Sequence, residues 1–104
     1  MSGDVYRLAT PRDARGHEQR GARYAVVVQS DMLPLSTLLV APTTTKSFPA
    51  VFHPRLDMDG TVVSVLVEQT TAVDPGRLGE LAGRLSAAEL MAVDDALRLV
   101  LGLD

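Results

Sequence analysis

SAAELMAVDDALRLVL, residues Ser86–Leu101, is the stretch that decides the fold. Ser86 precedes Glu89 by three residues, the S-x-x-E spacing in which each side chain satisfies the other residue's backbone N–H at a helix start. Leu90, Val93, Ala96, Leu97, Val100 and Leu101 then recur along one face at helical spacing, with Asp94, Asp95 and Arg98 off it. The pattern predicts one amphipathic helix closing the chain.

Upstream of it the periodicity shortens. Leu78–Leu85 is ambiguous between a helical turn and a last edge strand, and Asp74-Pro75-Gly76 is a turn. A short piece surrounds Ala72-Val73. Thr61–Val67 (TVVSVLV) reads as a fifth strand ending in the polar pair Glu68-Gln69, and Asp57-Met58-Asp59-Gly60 as the turn before it. Phe48–Phe52 is the expected fourth strand, reached through the hydroxyl-rich loop Thr43–Ser47. Thr37–Val40 is the third, ending at Ala41-Pro42; Pro42 lacks a ladder donor and is expected at an edge or a bulge. Residues 24–29 (YAVVVQ) form a second, largely buried strand, and Gly3–Leu8 holds the first. Between these two, residues 9–22 are a long polar loop, longer than an ordinary connection and so a candidate for function. Five or six short strands followed by one helix predict a single domain, residues 1–104. It is mainly β, a small barrel or curled sheet packed by the terminal helix.

Length and composition agree with one folded domain: 104 residues, 46% of them hydrophobic. There is no cysteine, hence no disulfide and no thiolate metal site. His17 and His53 show no ligand spacing, so no metal or cofactor is expected, and His53 reads as structural. No run reaches membrane-spanning length and the N-terminus lacks a signal-peptide core, which predicts a cytoplasmic protein without membrane contact. Net charge is −3, unevenly spread. Residues 1–55 hold seven basic side chains against four acidic, and residues 56–104 three against nine. The basic half offers a face for an anionic ligand.

The densest polar stretch is Gly16–Ser30, GHEQRGARYAVVVQS, where a charged loop runs into an apolar strand. Its motifs, with four others in register, resemble the MazF/PemK toxins, endoribonucleases of bacterial toxin–antitoxin pairs. Gly3-Asp4-Val5-Tyr6 is similar to the family's opening G-[DE]-[IV]-[WY]. GHEQRGAR before AVVVQ resembles G-[SH]-E-Q-x-G-x-R-P, VAPTTT resembles the P-x-[TS] strand end, and VEQTTAVDPGRL the acidic-Gln strand end. LAGRLSAAELMAVDDALRLVLGL is similar to the closing helix. The chain departs from the family at Tyr24, where proline is usual, and at Leu66, where the PemK branch has arginine.

The resemblance implies an SH3-like barrel, a homodimer, and metal-independent cutting of single-stranded RNA to 2′,3′-cyclic phosphate and 5′-hydroxyl ends. It also implies a cognate antitoxin. Arg23 is then the cation for the phosphorane, since its guanidinium forks onto phosphate oxygens. Thr44 matches the phosphate-contacting position, with Thr43 one residue away as the alternative. Glu68 or His17 takes the 2′-hydroxyl proton; an imidazole titrating near pH ~6.5 suits either proton transfer. Gln69, Gln19, Arg20 and Lys46 are candidate RNA contacts, and Glu18 shapes the loop. Phe48 and Phe52 read as core. Two other readings stay open: a CcdB-like toxin that binds gyrase without catalysis, and an inactive family member serving as a binding module. The apolar Met91, Leu99 and Leu103 outside the main helix stripe favour a dimer.

Overall fold

The computed structural model describes residues 2–8, 23–32, 36–46 and 50–103. Its strands are β1 Asp4–Leu8, β2 Tyr24–Val27, β3 Leu38–Thr44, β4 Arg55–Met58, β5 Thr61–Val65, β6 Thr71–Val73 and β7 Leu78–Arg84; helix α1 spans Ala87–Leu101. All pairings are antiparallel, in the order β4-β5-β3-β2-β1-β7, with β6 also on β3. This is a mainly β half-barrel with a C-terminal helix, the expected class. Its end strands approach through side chains: a Cβ on Gly83 of β7 would lie 3.8 Å from Met58 Cε of β4. The α1 N-terminus braces β4, where Asp57 N–H reaches Glu89 Oε2 at 3.4 Å.

Strand alternation sorts the side chains onto two faces. On one, Val5, Val26, Ala41, Leu56, Val63 and Val65 pack with Val67 and with Val93 and Ala96 of α1. Ala25, Val27 and Val40 lie on the other, with Tyr6, Leu8, Leu38, Val73 and Leu78 around them. The helix covers only the first face. Its start is the expected capping box: Glu89 N–H to Ser86 Oγ at 3.1 Å and Ser86 N–H to Glu89 Oε1 at 2.9 Å. The expected stripe is sunk only in part, because Val100 and Leu101 in the last turn are exposed.

Several boundaries differ from the sequence expectation; the second strand, for one, ends at Val27 rather than at residue 29. The fourth strand is Arg55–Met58; of the expected Phe48–Phe52, residues 50–52 are not strand, with Val51 85% exposed in a turn, and residues 48–49 lie outside the described residues. Asp57 and Met58 are therefore strand residues, and the turn is Asp59-Gly60. Both have positive φ, 54° and 91°, the mirror-image turn that matches strand twist in a two-residue hairpin. The third strand runs on through Pro42 to Thr44. Val28 N–H to Leu39 O marks a hydrogen-bonded pair, and alternation makes Ala25↔Pro42 a non-bonded one. The missing donor thus points away from β2, to where β3 exchanges β6 for β5 as its partner. The fifth strand stops at Val65, and Val67–Gln69 is a 3₁₀ turn. Leu78–Arg84 resolves as a strand on β1.

Candidate active site

The sheet register assembles the polar groups. Ala25↔Pro42, continued two residues, sets Arg23 opposite Thr44. Leu8 N–H to Arg23 O at 2.9 Å keeps the Arg23 backbone in the ladder with β1. Thr44 pairs in turn with Ser64, and Ser64 with Arg55. Directly opposed residues share a face, so Arg23, Thr44, Ser64 and Arg55 form one row across four strands. The row lies on the face that α1 leaves uncovered.

One residue along, the next row faces the core. Tyr24 and Thr43 belong to it, and Thr43, 6% exposed, spends its hydroxyl on Tyr24 O at 3.0 Å. Of the two candidate threonines only Thr44 is on the open face. Its Oγ1 accepts the Lys46 N–H at 3.1 Å, which leaves the hydroxyl proton to be donated to an anion. The Tyr24 ring stays clear of the row and carries the Arg7 guanidinium 5.9 Å above its centre, a cation–π contact.

A second pleat returns to the face away from α1. Leu66 N–H bonds Pro42 O at 2.9 Å and Val65 N–H bonds Pro54 O at 2.8 Å, placing His53, Leu66, Pro42 and Ala25 in the following row. At its end His53 Nε2 stands 2.9 Å from Oε1 and 2.9 Å from Oε2 of Glu68. The ring is held edge-on by Phe52, centroids 4.6 Å apart, and is 10% exposed; the carboxylate is 34% exposed. Leu66, at the position where the PemK branch has arginine, is held to β3 by its N–H bond to Pro42 O. The carboxylate's local partner is instead His53, drawn from the turn before β4.

The expected residues thus divide. Arg23, Thr44 and Glu68 come onto one face; Thr43 turns inward; Gln69 and Lys46 are exposed beside the site, in the 3₁₀ turn and after β3. His17, Gln19 and Arg20, with Glu18 and Phe48, lie outside the described residues. Phe52 packs on the core as expected. His53 was read as structural, and its bond to Glu68 is what sequence reasoning missed. The only signal was a polar ring in an otherwise apolar approach to a strand. Among the described residues no group of three or more His, Asp or Glu side chains is arranged to hold a metal.

Known proteins resemble the chain in sequence and in fold. A Mycobacterium tuberculosis protein named as a toxin is 39% identical over 104 residues, covering 99% of this chain and 98% of its own. Endoribonuclease MazF of Staphylococcus epidermidis is 34% identical over 113 residues, covering 98% and 91%. A solved mycobacterial endoribonuclease, in complex with its cognate antitoxin, superposes with a TM-score of 0.76 at 19% identity over 100% of this chain and 96% of the other. The family model for the PemK-like, MazF-like toxin of type II toxin-antitoxin systems matches residues 1–101, nearly the whole span in which the row of polar groups is built, and the chain belongs to that family.

Proposed function

We propose that this toxin is a sequence-specific endoribonuclease that cuts single-stranded RNA without a metal ion. The observation that carries this reading is the placement of Arg23 opposite Thr44, with the His53–Glu68 pair one pleat away on the same face, the one on which α1 does not pack. The 2′-oxygen attacks phosphorus as its proton passes to Glu68. The bond to the 5′-oxygen breaks, leaving a 2′,3′-cyclic phosphate, and that oxygen takes a proton, for which His17 is the candidate donor. Arg23 offers two parallel N–H bonds to the phosphorane and Thr44 donates one, so charge is met where it develops. His53 holds the carboxylate that receives the proton.

A homodimer and a neutralising antitoxin complete the proposal. Met91, Leu99 and Leu103 are 65%, 56% and 59% exposed, apolar surface that a second chain would cover. No helix among the described residues is long and apolar enough to cross a membrane. The test is incubation of purified protein with long RNA in EDTA, beside a gyrase supercoiling assay. Discrete cuts with unaffected gyrase support the proposal. Intact RNA with inhibited gyrase establishes the gyrase-binding reading, and intact RNA with unaffected gyrase the inactive one.

A further inference from the structure

We propose that Arg55 and Ser64 form a second phosphate position, binding an RNA phosphate next to the one that is cut; the proposal rests on the Arg23–Thr44 reading. The row Arg23, Thr44, Ser64, Arg55 repeats one chemistry at both ends, a guanidinium beside a hydroxyl. Strands lie about 4.8 Å apart, so the two pairs are centred about 10 Å from one another and hold different phosphates. Ser64 is 7% exposed, seated between Thr44 and Arg55, while Arg55 is exposed at the outer strand.

The surroundings leave Arg55 open to an anion. Among the described residues no hydrogen bond or ion pair takes its guanidinium. Of the acidic groups beside it on this face, Asp57 accepts Gly60 N–H on Oδ1 at 2.7 Å, and Glu68 faces His53. Arg55 is thus a cation set at the border of the chain's acidic half, in line with the phosphate-binding pair. Packing does not require it there, since β4 makes its core contacts through Leu56 and Met58. An acidic segment of an antitoxin has the same charge, but the continuity of the row with Thr44 favours the nucleic acid.

The experiment uses an RNA oligonucleotide spanning a mapped cut site, with neutral methylphosphonates replacing the non-scissile phosphates one at a time. Wild-type protein is expected to show about a tenfold rise in KM at one neighbouring position. Arg55→Gln should show a similar rise on the unmodified RNA, keep its kcat, and lose about 0.7 from the salt slope of binding. Combining variant and modified RNA should add nothing further. Ser64→Ala should weaken the same position alone. Wild-type KM in Arg55→Gln, or effects that multiply, overturns the second position. That result, with Arg23→Ala inactive, leaves the first reading standing; Arg23→Ala cutting at the wild-type rate removes both.

Discussion

His53 Nε2 is 2.9 Å from each carboxylate oxygen of Glu68, across 15 residues of sequence. The bond ties the turn before β4 to the 3₁₀ turn after β5 and fixes where the carboxylate sits. Its remaining lone pairs are available to a proton from substrate.

Glu68→Gln removes the proton acceptor and keeps the shape. Cleavage should fall about 10²–10⁴-fold in kcat, the range for a lost general base, while thermal unfolding is little changed. Activity near wild type would transfer the role to His17.

His53→Asn tests orientation. With the ring gone, kcat should drop about tenfold and KM should hold, since the substrate phosphate is gripped by Arg23 and Thr44. A rise in KM with unchanged kcat would place His53 in substrate binding instead.

The two variants address a part of the site that sequence only half disclosed. Arg23, Thr44 and Glu68 could be proposed from the sequence because each sits in a short motif at a strand end. His53 was not, since only the β4–β5 register carries it to Glu68, and that register was hidden by the misplaced fourth strand. Phe48–Phe52 has the apolar look of a strand, while Arg55–Met58 alternates over only four residues with Leu56 and Met58 inward. The terminal helix was readable because its cap and its period agree. Which threonine shares a face with Arg23 needed the pleat, as a shift of one residue changes the face.

Leu56 is 2% exposed in the main core and belongs to that short strand. Leu56→Ala should cost about 2–5 kcal/mol in urea unfolding. A cost below about 1 kcal/mol would mean that this side chain is not packed as described.

Gly60 has φ 91° and nothing within 4 Å of a Cβ built on it. Gly60→Ala should therefore destabilise through backbone strain alone, by about 1–2 kcal/mol in the same experiment. No loss would contradict the mirror-image turn.

Attack by the 2′-hydroxyl at a phosphate held by Arg23 and Thr44 is the core of the proposed mechanism. It is tested most directly by cutting, in EDTA, matched RNAs with ribose or deoxyribose at the scissile nucleotide. The ribose substrate should yield 2′,3′-cyclic phosphate and 5′-hydroxyl ends, and the deoxyribose substrate should stay intact. Equal cleavage of the two would contradict the account.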